Sequence, residues 1–231
     1  MNAYIMAAGL ATRLRPKTEK IPKCLLPVGS KPILEHWLNA IFETEEFDRI
    51  FINVHHCADA VKLWIDSYEK KTREHINIID ESSLLLGTAG TLFWHGYTGE
   101  DFMCVYSDTI SYDFFSSMKD LSSFWKQNPD KPLAGIITFP MPDDLSAGRV
   151  EIDSMGYVTN FSEKTGDGIA AWAGMMFGRG DFFDHIKHDD KDLARDVFPR
   201  ILGQIRVLAH VEAYDIGRGG GKHESFSPKR N

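Results

Sequence analysis

Ala7-Ala8-Gly9-Leu10-Ala11-Thr12-Arg13-Leu14-Arg15-Pro16 is the stretch of this chain that reads most directly as chemistry. Small residues at the end of a buried strand let backbone approach a ligand closely. Successive backbone N–H groups can then point at phosphate oxygens. Arg13 and Arg15 add fixed cationic donors, and Lys23, after Pro22, adds a mobile point charge. A loop of small residues with three cations nearby suits a triphosphate. An ordinary strand-to-helix turn with solvated basic residues has the same composition, so this stretch alone leaves both readings open.

Two familiar nucleotide motifs are absent. No G-x-x-x-x-G-K-[ST] occurs, and Gly9 is followed by Ala11 and Leu14 where G-x-G-x-x-G needs glycines. A P-loop NTPase and a dinucleotide-binding dehydrogenase are both disfavoured. His55-His56-Cys57 invites a metal reading, but no further ligand sits at helical or turn spacing. The pair ends a strand, which points to capping or packing. Trp37, Trp64 and Trp125 fall on helical faces and read as core.

The elements that must position these residues alternate between strand and helix. Asn2–Ala7 reads as a short buried first strand running into the small-residue loop. Ile33, Leu34, Trp37, Leu38, Ile41 and Phe42 share one face of a helix opening at Pro32. Ile50–Val54 is a second strand and Ala58–Tyr68 a second helix. Strands follow at Ile76–Ile79, Phe102–Tyr106 and Leu133–Phe139, with a helix from about Phe114 to Trp125. Arg149–Ile152 and Tyr157–Phe161 flank Ser154-Met155-Gly156 as a β-hairpin, and Ala170–Phe177 is a further strand. A helix near Leu193–Leu202 and a strand at Ile205–Val211 complete the pattern. The expected fold is α/β: a Rossmann-like three-layer sandwich with a mostly parallel central sheet and a small antiparallel insertion. Residues 1–217 form one domain in this reading, and 218–231 a flexible, Gly-rich, basic tail.

Composition bounds the rest. The 231 residues, 43% of them apolar, can bury a sizeable core. A net charge of −7 argues against a nucleic-acid or anionic-membrane binder. Cys24, Cys57 and Cys104 are far apart, which disfavours a disulfide framework and fits a reducing compartment. The first charged residue is Arg13, so the start lacks the basic region of a secretory signal. No apolar run approaches the ~18 residues that span a bilayer. A cytoplasmic protein is expected.

The run AAGLATRLRPKTEKIPKCLLPVGSKPILEH, at residues 7–36, resembles the signature of the sugar-1-phosphate nucleotidyltransferases, the nucleoside-diphosphate-sugar pyrophosphorylases. That signature reads G-x-G-T-R-L-x-P-x-T, then P-K-x-L-x-P-V and a helix opening K-P-[IL]; Ala11 replaces the second glycine. Further pieces match in order. Leu86-Gly87-Thr88-Ala89-Gly90 resembles the family's L-G-T-A-G turn, and Ser107-Asp108-Thr109 its metal-binding G-D-[TV]. Gly148-Arg149-Val150 and Glu163-Lys164 resemble the pieces that hold the sugar phosphate, and Asp215-Ile216-Gly217 the D-I-G of the second metal carboxylate.

The resemblance implies a reaction and a set of roles. A sugar-1-phosphate oxygen attacks the α-phosphorus of a nucleoside triphosphate, pyrophosphate leaves, and a nucleoside-diphosphate sugar forms. Arg13, Lys23 and Lys164 are the implied catalytic cations. Ala8, Gly9, Leu10, Ala11, Thr12, Gly87, Thr88 and Ala89 would bind the nucleotide, and Gly148, Glu163, Lys164, Trp172 and Gly174 the sugar phosphate. Asp108 and Asp215 would hold Mg2+, which takes hard oxygen ligands and commonly one or two carboxylates. The implied partners are a nucleoside triphosphate and a sugar 1-phosphate, with no nucleic acid and no membrane, and the chain a monomer or small homo-oligomer. By the same resemblance, its length is expected to correspond to the family's catalytic core, without the C-terminal domain of larger members.

Departures bear on the substrate. Trp172 stands where the family often carries a sugar-contacting Asn, exchanging hydrogen bonding for apolar contact or simply adding to the core. Glu81-Ser82-Ser83 offers no Gln to read a pyrimidine, which tilts towards guanylyl transfer to a heptose or hexose 1-phosphate for cell-surface glycan precursors. Uridylyl, thymidylyl or cytidylyl transfer, to a sugar 1-phosphate or phosphocholine, remains the alternative, as does a nucleotide-sugar-binding module without catalysis. The helix that normally follows D-I-G has no counterpart in the tail.

Overall fold

The computed structural model describes residues 1–67, 73–96, 99–140, 148–163, 168–211 and 214–215, with backbone alone at 112–114, 163 and 214–215. In chain order the strands are β1 (Asn2–Met6), β2 (Pro27–Val28), β3 (Lys31–Pro32), β4 (Arg49–Val54), β5 (Ile76–Asp80), β6 (Phe102–Tyr106), β7 (Thr109–Ile110), β8 (Ala134–Pro140), β9 (Gly148–Ile152), β10 (Val158–Glu163), β11 (Ala170–Gly178), β12 (Ile205–His210) and β13 (Tyr214–Asp215). The helices are α1 (Ile33–Thr44), α2 (Ala58–Asp66), α3 (Gly87–His95) and α4 (Tyr112–Gln127).

A nine-stranded sheet dominates, in the order β10-β9-β11-β6-β1-β4-β5, with β8 joining β11 to β12. β1 pairs in parallel with β4 on one side and β6 on the other, and β4 with β5. Within this sheet β10 and β11 run against the rest. Two two-stranded ribbons, β2–β3 and β7–β13, stand apart. The chain leaves β1 for a neighbour on one side and later returns to pair on the other. That makes the C-terminal end of β1 a topological switch point, where open α/β sheets place their ligands.

Side-chain alternation sorts the core into two layers. Ala3, Ile5 and Ala7 face a cluster with Ile33, Leu34, Trp37 and Leu38 of α1, Val61 and Ile65 of α2, and Met118 and Trp125 of α4. Tyr4 and Met6 face the opposite cluster, built from Ala89 and Leu92 of α3 and from Phe182, Leu193 and Phe198. Trp37 and Trp125 are fully buried and Trp64 is packed against the first cluster, as their helical spacing predicts. Phe102 sits centrally, with ring centroids 5.9, 5.5 and 4.7 Å from Tyr4, Phe182 and Phe183. Phe102→Ala should cost about 3–5 kcal/mol, read from urea unfolding; a loss below about 1 kcal/mol would show that this layer collapses around the cavity.

The structure corrects two sequence expectations. Leu86–Gly90 is not a free turn, because Gly87 opens α3 and buries Ala89 and Leu92 along one side. The single helix expected over Leu193–Leu202 is one π-turn, Leu193–Val197, followed by a 3-10 turn, Phe198–Arg200. Pro199 lacks the N–H that an uninterrupted helix would use there. The hairpin at Ser154–Gly156 is as expected, with β9 and β10 antiparallel. The tail, 218–231, lies outside the described residues. Among the described residues no helix is long and apolar enough to cross a membrane.

Candidate active site

Register sets the site. Met6 pairs with Asn53 on β4 and with Tyr106 on β6, so three strands end in one row. The small-residue loop, His55 and Ser107-Asp108 therefore leave the sheet side by side. Between them lies a cleft of about 320 Å3, bounded by Ala7, Ala8 and Gly9 of the loop, by Lys23, by Gly87 and Thr88 of α3, and by Tyr106 and Asp108. Lys191, Asp192 and Arg195 form the facing wall.

Lys23 and Asp108, 85 residues apart, meet here: Lys23 Nζ donates to Asp108 Oδ2 at 2.8 Å. Lys23 stands on a 3-10 turn, Lys23–Leu25, anchored by the fully buried Cys24. Burial pushes the Cys24 thiol up to about 12, which makes it an anchor rather than a nucleophile. The Lys23 side chain is 14% exposed and that of Asp108 35%. Asp108 lines the cleft, and its Oδ1 accepts no hydrogen bond among the described residues.

The opposite rim is built on α3. Thr88 Oγ1 accepts from the Tyr106 hydroxyl and from the Leu193 N–H, each at 3.1 Å. Burial first, and then the charge of Asp192, holds the Tyr106 phenol well above its ordinary value, so it stays a neutral donor. Ala89 N–H donates to the Lys191 carbonyl at 3.2 Å. Asp192 caps the next turn through the N–H groups of Ala194 and Arg195. These bonds tie the 191–195 segment to the start of α3 as one wall.

The residues expected at the site divide into groups. Ala8, Gly9, Lys23, Gly87, Thr88 and Asp108 line the cleft, and Ala89 is buried just beneath it. Leu10, Ala11, Thr12 and Arg13 lie further out on the loop and do not line it. There Ala11 takes a left-handed conformation, φ 49°, and its carbonyl is held by the Thr18 hydroxyl at 2.8 Å. Thr18 is held in turn by His56, whose Nε2 lies 2.8 Å from its carbonyl, while His55 Nδ1 lies 2.6 Å from the Glu81 carbonyl. The histidine pair thus packs and ties loops. No cluster of three or more metal-ligating side chains occurs among the described residues.

On the other side of the cleft, Gly174 interrupts β11 with φ +71° at a bulge, and a Cβ there would stand 3.0 Å from Tyr106 Cβ. Trp172 is 8% exposed and edge-on to Tyr106, Phe161 and Phe198. Its indole N–H donates to the Met175 carbonyl at 3.1 Å. It belongs to the core and offers no free donor to a sugar. Gly148 pairs with Glu163 in the β9–β10 ladder. Asp215 pairs with Thr109 in the β13–β7 ribbon, which brings its backbone next to the residue following Asp108. Lys164, Ile216 and Gly217 lie outside the described residues.

Sequence reasoning missed Asn53, Tyr106, Lys191, Asp192 and Arg195. Asn53 carried a signal, a lone polar side chain in the apolar run Ile50–Val54. The 191–195 wall carried none.

The chain is 29% identical over 241 residues to the UTP--glucose-1-phosphate uridylyltransferase of Synechocystis, covering 94% of this chain and 60% of that protein. It is 27% identical to mannose-1-phosphate guanylyltransferase 1 of Arabidopsis thaliana, covering 91% and 59%. The chain thus spans about three fifths of the length of these relatives. HddC from Yersinia pseudotuberculosis has the same fold, with a TM-score of 0.73 at 21% identity, covering 97% of this chain and 96% of that one. Its complex with GMP-PN gives a TM-score of 0.74. Residues 2–204 match the nucleotidyl transferase family, and the chain belongs to it.

Proposed function

We propose that this chain transfers a nucleotidyl group from a nucleoside triphosphate to a sugar 1-phosphate. The reading rests above all on the Lys23–Asp108 pair at the switch point of the sheet, facing the N-terminal turn of α3 across the cleft. An ammonium beside a carboxylate with a free oxygen suits a substrate that is itself a polyanion–cation complex. In the proposed reaction a sugar-phosphate oxygen forms a bond to the α-phosphorus and the bond from that phosphorus to the bridging oxygen breaks. Pyrophosphate leaves with the electron pair. A phosphate monoester is already an anion near neutral pH, so no side-chain base is needed.

The protein's task is then positioning and neutralisation of charge. Lys23 neutralises phosphate charge from one side, and the resemblance assigns a second cation to Arg13, which stands exposed on the loop outside the cleft. Gly9 offers backbone N–H to phosphate oxygens, and the start of α3 presents Thr88 and its helix dipole to the nucleotide. The resemblance assigns the sugar phosphate to Lys164 and Glu163, and the Gly148–Glu163 pairing keeps the two pieces of that subsite together. Lys191 and Arg195 add positive charge on the facing wall.

The donor set fits Mg2+: Asp108 has an unengaged carboxylate oxygen, and the β7–β13 register brings Asp215 close in the chain path. Bound there, the ion would neutralise and orient the phosphates. For the base, Glu81 is turned inward and occupied by Asn53, Thr91 and Leu86, so it does not read a pyrimidine. We take the donor to be a guanylyl nucleotide and the acceptor a heptose or hexose 1-phosphate. A pyrophosphate-release assay over ATP, GTP, UTP, CTP and dTTP with glucose, mannose and heptose 1-phosphates and Mg2+ tests the proposal. Turnover with at least one pair, abolished by excess EDTA and restored by Mg2+, is the expected outcome. Turnover that resists EDTA would exclude the metal role, and no turnover with any NTP and sugar 1-phosphate would exclude the reaction.

A further inference from the structure

We infer that Asn53 is a positioning residue for the nucleotide, setting the loop after β1 and the start of α3 in one register through a single side-chain amide. The inference rests on the nucleotidyl-transfer reading of the cleft. Asn53 is 3% exposed, in the last turn of pleat before β4 ends. Its Oδ1 accepts the N–H groups of Ala7 at 2.7 Å and Ala8 at 3.2 Å. Its Nδ2 donates to Glu81 Oε1 and to Thr91 Oγ1, both at 3.0 Å. The amide's two acceptor and two donor positions are all filled. A flipped amide would set its NH2 against two N–H donors, so the network dictates one orientation.

The second half of the network reaches α3. Glu81, 2% exposed, also accepts from the Thr91 hydroxyl and from the Leu86 N–H at 3.0 Å. Thr91 lies one turn into α3, with its hydroxyl 2.9 Å from the Gly87 carbonyl. The path therefore runs from Ala7 and Ala8 through Asn53 to Glu81 and Thr91, and on to Leu86 and Gly87. A fully satisfied buried polar network holds one arrangement, and a partly satisfied one does not.

Two consequences follow. The N–H groups of Ala7 and Ala8 are consumed by Asn53, so the loop donors left for phosphates begin at Gly9. A nucleotide crossing the cleft touches Gly9 at one end and Thr88 at the other, and Asn53 sets the distance between those ends. Misplacing such groups by about 1 Å costs on the order of a hundredfold in rate.

Asn53→Asp isolates this role. It keeps the volume and an acceptor for Ala7 and Ala8, but puts a second carboxylate against Glu81 where two donors stood. The expected result is a KM for the NTP raised about ten- to a hundredfold, with the KM for the sugar 1-phosphate unchanged. Adding Glu81→Gln to Asn53→Asp restores an N–H donor between the two side chains, and should recover the NTP KM. A merely structural role would lower the melting temperature, with rescue by the second substitution, but would not raise the NTP KM selectively over the sugar 1-phosphate KM. An unchanged NTP KM, or a defect that the second substitution leaves intact, overturns the inference.

Should Asn53→Asp not fold, Thr91→Val, isosteric and lacking the hydroxyl, should raise the same KM to a smaller extent; no rise overturns the inference. The rise in melting temperature on adding GTP or UTP with Mg2+ supplies a readout independent of turnover. A wild-type chain that shows this rise but no turnover, with the rise lost in Asn53→Asp, would fell the transferase reading and leave the role of Asn53 standing. An active wild type with an Asn53→Asp variant of equal NTP KM would do the reverse. A wild type showing neither rise nor turnover overturns both.

Discussion

Asp108→Asn should lower kcat about a thousandfold, the upper range for removing one preorganised electrostatic group at a reacting centre, while the protein keeps its fold. The side chain sits at the end of β6, where the Met6 and Tyr106 rows align, and is 35% exposed. Its removal therefore opens no core cavity. What changes is charge. Lys23, whose side chain is 14% exposed, loses the carboxylate 2.8 Å away and keeps a neutral amide beside it. The hard anionic oxygen offered to a divalent ion disappears as well, and an amide oxygen is a much weaker ligand for Mg2+. Both effects fall on the step in which phosphate charge builds, so kcat should fall far more than NTP affinity. Steady-state kinetics beside a far-UV spectrum and a melting curve make the check. Retention of more than a tenth of wild-type kcat would remove Asp108 from the reacting centre, and a collapsed melting curve would reassign it to the fold.

That expectation could be framed from the chain alone because strand periodicity and an ordered set of short motifs put Asp108 at a strand end. Parallel strands buried on both faces read as near-continuous apolar runs, and Phe102–Tyr106 and Ile50–Val54 do so. The amphipathic stripe of α1 was equally plain. Helix α3 was not, since its first turn is made of Gly87, Thr88, Ala89 and Gly90, which carry little helical signal. Its stability comes from Ala89 and Leu92 packed in the second core layer and from the Lys191 carbonyl bonding its N–H. Tertiary contact overrides weak propensity there.

The site itself was legible where a role belongs to one short segment and illegible where it depends on register. Lys23 and Asp108 were identified separately, and their 2.8 Å contact follows only once β1 and β6 are paired. Asp215 shows the same dependence, its place beside Thr109 coming from a two-residue ribbon. Trp172 illustrates the opposite case. From sequence Trp172 fits either apolar contact with a substrate or the core; the bulge between Trp172 and Met175, which sets its indole N–H on the Met175 carbonyl, decides for the core. The 191–195 wall, more than a hundred residues from Thr88 in sequence, had no local pattern to announce it.

Gly87→Ala should disable the cleft by a different route, lowering the melting temperature by about 10 °C together with a large rise in NTP KM. Gly87 has φ +81°, a conformation that costs a residue with a Cβ about 1–3 kcal/mol. An added Cβ would also lie 2.3 Å from the Lys191 carbonyl oxygen and 3.1 Å from its carbon. Those are backbone atoms, so no side-chain rotation relieves the clash. Either α3 or the 191–195 wall must retreat, and overpacking of that kind costs about 1–3 kcal/mol more. For a domain of this size each kcal/mol is about 2–4 °C of melting temperature. The retreat also has a direction: it pulls Lys191 off the Ala89 N–H and Leu193 off the Thr88 hydroxyl, unpairing the contacts that hold α3 and the 191–195 segment together as one wall of the cleft. The sharpest control is Gly99→Ala, also at positive φ, +85°, but with no atom of the described residues beyond its chain neighbours within 4 Å of the added Cβ. That variant carries the strain without the clash and lies outside the cleft, so it should lose only part of the melting temperature and none of the NTP affinity. Equal behaviour of the two variants would show that backbone strain alone, rather than the fit of Gly87 against Lys191, accounts for the loss.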